Sequence, residues 1–156
     1  MNSQNDTVVQ VNGLTEKSNP RPILGYTDRE TVKLDFDNMP FKQVKYWASR
    51  VAKWFRLNGF LVLKSSEKSY HVIFDRPVSW RKNVSIVAWV SLQTKHTKLT
   101  GWFILQCIKQ GSTLRISPKR DKPTPRVVYR SGTQNCQILG FLRYRALTKA
   151  ILADLK

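Results

Sequence analysis

Apolar and polar positions alternate strictly at the first well-patterned stretch, where Val32, Leu34 and Phe36 interleave with Lys33, Asp35 and Asp37. That is the period of a strand with one apolar face, so residues 31–36 are predicted as a strand that carries both carboxylates on its polar side. The period then changes. Behind Pro40, which suits a first helical turn, Phe41, Val44, Ala48, Val51 and Phe55 recur at helical spacing up to a stop at Asn58-Gly59. Trp47 and Trp54, a heptad apart on this helix, read as packing residues. A hairpin follows, with arms at Phe60–Leu63 and Tyr70–Phe74 around a Ser65–Lys68 turn. In its second arm Ser69, His71, Ile73 and Asp75 share one face.

Helical register returns over residues 83–92 and again from Leu99 to Gln110, which presents Trp102, Phe103, Leu105 and Ile108. His96 lies in the Lys95–Lys98 link and reads as a surface residue. Two strand-like arms, Leu114/Ile116 and Val127–Tyr129, bracket a segment broken by Pro118, Pro123 and Pro125, which predicts a β-hairpin over 113–130. A closing helix is expected over 134–155, with Ile138, Leu142, Ala146 or Leu147, and Ile151 or Leu155 facing inward. Residues 1–22 are polar and aperiodic and read as a disordered leader, leaving 23–156 as one domain.

Charge narrows the partner. With 27 Lys and Arg against 10 Asp and Glu, the net charge is +17, far beyond what solubility requires, and a polyanion is the expected ligand. The cations are spread along the chain and interleaved with aromatics, which favours nucleic acid, expected to be DNA, over a lipid surface. They are densest between Thr113 and Arg130, where Arg115, Lys119, Arg120, Lys122, Arg126 and Arg130 face only Asp121, and these six are the expected nucleic-acid contacts. Lys42, Lys45, Arg50, Lys53 and Arg56 on the first helix offer a second basic face. No apolar run reaches the length of a membrane span and no signal-peptide pattern opens the chain, so a cytoplasmic protein is expected. Cys107 and Cys136 lack partners at zinc-ligand spacing.

Two short signatures bear on chemistry. Carboxylates two residues apart on a strand, as in Asp35-Phe36-Asp37, suit a hard divalent cation, and Ser69-Tyr70-His71 places a hydroxyl and an imidazole on one face, where they can donate to phosphate. The order of acidic pair, helix and Ser-x-His strand resembles the archaeo-eukaryotic primase (primase-polymerase) superfamily over residues 31–78. The resemblance implies an α+β fold with a primase/RRM-like βαββ core, an antiparallel sheet and flanking helices, to which the basic β-hairpin would be added. It further implies Asp35 and Asp37 as metal ligands for Mg²⁺ or Mn²⁺, Ser69, His71 and Arg76 as nucleotide-triphosphate contacts, and Asp35, Asp37 and His71 as the catalytic set. The family usually supplies a third carboxylate from a later strand, and here Thr113-Leu114-Arg115-Ile116 puts a cation at that place. Asp75 is a distant substitute.

The functional expectation is therefore a replication-associated, primase-polymerase-like domain that binds nucleic acid, nucleotide and metal, either as a nucleotidyltransferase or as a reduced accessory subunit to a replication partner. A second reading takes residues 83–110 as helix-turn-helix and 113–130 as a wing, making a winged-helix DNA-binding regulator. A metal-dependent nuclease is the third.

Overall fold

A computed structural model describes residues 22–155, so the leader expected over 1–22 lies, apart from Pro22, outside the described residues. The element order is β1 (Gly25–Asp28), β2 (Lys33–Phe36), α1 (Phe41–Trp54), β3 (Phe60–Ser66), β4 (Ser69–Phe74), α2 (Trp80–Thr94), α3 (Thr97–Lys109), β5 (Ser112–Arg115), β6 (Arg126–Ser131) and α4 (Gln137–Asp154). This is an α+β fold with antiparallel sheets. A four-stranded sheet runs β2-β4-β3-β6, and a separate two-stranded sheet joins β1 to β5. The expected βαββ order is present in β2, α1, β3 and β4, with the third of these strands hydrogen-bonded between the other two.

Alternation along the strands divides the core in two. Leu34, Phe36, Val62, Val72 and Phe74 pack beneath Val44, Ala48 and Val51 of α1 and Ile86, Val87 and Val90 of α2. On the other face Leu61, Leu63 and Ile73 pack with Leu114 and Ile116 from the β5 segment and Ile138 and Phe141 from α4. The polar positions of β2 and β4 belong to this second face. Burying these side chains stabilises the fold by roughly 1.5–3 kcal/mol each before conformational entropy is counted.

The basic hairpin does not form. β5 pairs with β1, with Gly25 opposite Arg115 and Asp28 opposite Ser112, while β6 pairs with β3. The wing required by a winged-helix regulator is therefore missing from residues 113–130. A buried cation helps to decide the pairing: Lys33 Nζ donates to Asp28 Oδ1 at 2.7 Å, to the Ser112 carbonyl oxygen at 2.9 Å and to Ser112 Oγ at 3.1 Å, tying β2 to both strands of the small sheet. Burial pulls the Lys33 pKa down, and Asp28 opposes that pull.

Three further expectations are corrected. Gly59 serves close approach rather than a left-handed helix stop, since an added Cβ would lie 2.0 Å from the Thr133 carbonyl oxygen. In α4, Ile138, Phe141 and Thr148 are buried, whereas Ala146, Leu147, Ile151 and Leu155 are exposed, so the inward face expected for the second half of the helix is carried by Thr148 instead. Trp54 is 68% exposed and stacks on Trp89, so it is no core residue. Among the described residues no helix is long and apolar enough to cross a membrane.

Candidate functional site

The register of the central strands pairs Asp35 of β2 directly with His71 of β4, bringing residues 36 positions apart in sequence to a cross-strand contact on the second face. The Asp35 Oδ1 to His71 Nε2 distance is 3.7 Å, with the imidazole 7% and the carboxylate 21% exposed. Ser69 lies one strand period away on the same face and is buried. Asp37 follows the end of β2, half-buried, and its carbonyl oxygen accepts a hydrogen bond from His96 Nε2 at 2.6 Å. Asp35 and His71 are thus in cross-strand contact, with Asp37 and Ser69 at the same end of the sheet.

Arg76 is left out. It follows the opposite end of β4 and donates to the Arg56 carbonyl oxygen at 3.2 Å. Asp75 is committed elsewhere as well: its carboxylate accepts from the amides of Asn135 at 3.2 Å and of Cys136 and Ile138 at 3.0 Å, so it caps α4 from a remote strand.

Arg115, at the end of β5, brings a positive charge into the field of Asp35. Its guanidinium donates to the carbonyl oxygens of Ser65 at 3.0 Å and Pro123 at 2.8 Å, and also to that of Ser117. This planar fork ties the end of β3 to both sides of the 116–125 loop, a task for which an ammonium is poorly shaped. Arg145 of α4 donates to the Pro125 carbonyl, and the Leu24 amide donates to Ser117 Oγ at 2.7 Å. Inside the loop, Lys119 and Lys122 exchange backbone hydrogen bonds at 2.9 and 2.8 Å around a tight turn with Arg120 at φ 53°. Lys119, Arg120 and Lys122 therefore stand exposed on a segment fixed at four points.

The six predicted nucleic-acid contacts do not form one surface. Opposite Val62 and Leu63 the β3–β6 ladder shifts register, so that Arg126 pairs with Lys64 and Arg130 with Leu61. Lys64 and Leu61 are three positions apart, so the two arginines emerge on opposite faces of the sheet. Arg115 is consumed by its carbonyl contacts.

Burial also sets the protonation of the acid–imidazole pair. Desolvation, with the Asp37 charge adding to it, raises the Asp35 carboxyl to about 7 against the pull of Lys122 and Arg115. Desolvation, reinforced by Arg115, lowers the His71 imidazole to about 3. Asp35 Oδ1 and His71 Nδ1 are buried without a hydrogen-bond partner among the described residues.

This donor set does not fit the two-cation centre that the primase resemblance implies. A divalent ion would have to displace the Asp35 proton, find only Asp37 as a second carboxylate, and sit in the field of Arg115 and Lys122. Among the described residues no three His, Cys, Asp or Glu side chains are grouped to hold a metal ion.

His96 was the residue sequence reasoning missed. It precedes α3, stacks over Phe36 with ring centroids 6.3 Å apart and fixes the Asp37 backbone, rather than standing in solvent. No local pattern marks a contact spanning 59 residues. Comparison with family models, with curated proteins and with solved structures finds no match.

Proposed function

We propose that the chain is a nucleic-acid-binding module, akin to the primase-polymerase group in its Asp35–His71 strand pair, that supplies binding rather than nucleotidyl transfer. One observation carries the proposal: Arg115 holds the 116–125 loop by the carbonyl oxygens of Ser117 and Pro123 and ties it to that of Ser65 on β3, so Lys119, Arg120 and Lys122 are presented on a pre-ordered segment. A loop already fixed loses little entropy on binding, and each cation that meets a phosphate releases counterions. Asp121 is the lone acid in that loop.

The same arginine argues against catalysis at the acid pair. It brings positive charge into the field of Asp35, and no step of phosphoryl transfer is assigned to Asp35, Asp37 or His71. Nucleic acid is the favoured polyanion on charge grounds, and a partner subunit would supply the chemistry.

The test is a template-binding and primer-synthesis assay with labelled nucleotides and Mn²⁺, using the full chain alone. The expected result is template binding without primer formation. Primer synthesis that Asp35→Ala abolishes would overturn the binding-module reading, and a chain that binds no nucleic acid at moderate salt would overturn the proposal entirely.

A further inference from the structure

Away from the loop, on the far side of the four-stranded sheet, α1 turns a second basic surface outward. Its 14 residues include no Asp or Glu. Lys42, Lys45, Tyr46, Ser49, Arg50 and Lys53 line a shallow depression of about 490 Å³ that follows the helix. Lys42 and Lys53 lie eleven residues apart, a reach of roughly 16 Å along the axis, comparable with about five phosphates of one strand at B-form spacing.

Aromatic groups accompany these cations. Tyr46 is 55% exposed, and Arg50 donates to its hydroxyl at 3.2 Å, so both project from the track in a fixed arrangement. Trp54 ends the helix at 68% exposure, its ring 11° from parallel to Trp89 with centroids 6.3 Å apart. Trp89 supports one face of that indole while the other stays open. An indole left this exposed gains little from packing, and it directly follows Lys53 in the chain.

We infer that the outer face of α1 is a single-strand nucleic-acid track, in which Lys42, Lys45, Arg50 and Lys53 neutralise successive phosphates and Trp54 stacks against an unpaired base. Charge complementarity selects a polyanion, and the open indole selects one with exposed bases, because duplex bases are already stacked on each other. The inference rests on the nucleic-acid reading above but uses none of the loop residues.

The experiment measures binding of a dodecathymidylate, of an abasic strand with the same number of phosphates, of a DNA duplex and of anionic phosphatidylserine vesicles to the full chain and two variants. One variant is Lys42→Gln, Arg50→Gln, Lys53→Gln, all at exposed helical positions where glutamine is tolerated. The other is Trp54→Ala. The triple variant is expected to lose at least tenfold in dodecathymidylate affinity at low salt, with the salt slope smaller by about 2. The wild type is expected to prefer dodecathymidylate over the abasic strand by about fivefold or more, and Trp54→Ala to lose that preference.

A triple variant that binds dodecathymidylate within twofold of wild type, no preference over the abasic strand, or tighter binding to vesicles than to the strand would each overturn the inference. A Lys119→Gln, Arg120→Gln, Lys122→Gln variant separates the two claims. If it weakens duplex binding while the α1 variant changes nothing, the module reading stands and the α1 track falls. A wild-type chain that binds neither strand nor duplex removes both.

Discussion

The Arg115 guanidinium donates to the carbonyl oxygen of Ser65 at 3.0 Å, joining residues fifty positions apart and fastening the basic loop across the end of β3. Arg115→Ala should loosen residues 118–124 while leaving both cores, Ile116 included, in place. Limited proteolysis should then cut between Pro118 and Arg126, and duplex affinity should fall although no exposed loop cation has changed. Arg115→Lys should behave like the alanine variant, because one ammonium cannot replace the fork that serves three carbonyls. Unchanged cleavage in both variants would remove Arg115 as the fastener.

Asp75 organises the far end of the same face. Its oxygens satisfy three amides at the start of α4, so Asp75→Ala should destabilise the fold by about 2–4 kcal/mol in urea unfolding. Asp75→Asn, which keeps one oxygen acceptor, should lose roughly half of that. Equal losses would mean that charge, not the cap geometry, matters.

Lys33 is buried against Asp28 at 2.7 Å, and removing one partner of such a pair strands the other. Lys33→Ala is expected to cost about 3 kcal/mol and to loosen the β1–β5 sheet first, seen as faster amide exchange at Tyr26 and Leu114, which face each other in that ladder. Uniform loss of protection across all strands would contradict a local role.

The acid–imidazole pair sets a pH profile. The folded chain keeps the Asp35 proton up to about pH 7, whereas the carboxyl of the unfolded chain, at its ordinary 3.8, has already lost it, so this residue favours unfolding increasingly between those values. His71 works in the opposite sense: folded it stays neutral down to about pH 3, while unfolded it takes up a proton below 6.5, so stability falls as pH drops through that window. The two slopes oppose each other between about pH 4 and 6.5. Asp35→Asn removes one of them. That variant should therefore be more stable than wild type at pH 8, by on the order of 2 kcal/mol, with the gap closing toward pH 4. Denaturant midpoints across this range check it, and an Asp35→Asn variant less stable than wild type at pH 8 would refute a buried, proton-holding Asp35.

Local periodicity made much of this architecture readable. The α1 start at Phe41, the β3–β4 hairpin and the one-sided polar faces of β2 and β4 follow from spacing alone, because each is decided by neighbours within a few residues. Strand pairing was not readable. β1 carries only Gly25-Tyr26-Thr27-Asp28, too short to stand out, and its capture of β5 depends on Lys33 reaching Ser112 across 79 residues. The Asp35–His71 adjacency was foreseen from a motif resemblance, but its burial was not, since Leu114, Ile116 and the arginine-held loop come from the far half of the chain. Asp75 and His96 have roles set by a helix start and a carbonyl that no local pattern connects to them.

The most direct measurement is the salt dependence of duplex DNA affinity for wild type and for Lys119→Gln, Arg120→Gln, Lys122→Gln. If the fixed loop lies on the phosphate backbone, the log–log slope should become shallower by roughly 2.7, at about 0.9 for each neutralised contact, with thermal stability unchanged. A slope identical to wild type would contradict the account, because three exposed cations on a pre-ordered loop would then be meeting no phosphate at all.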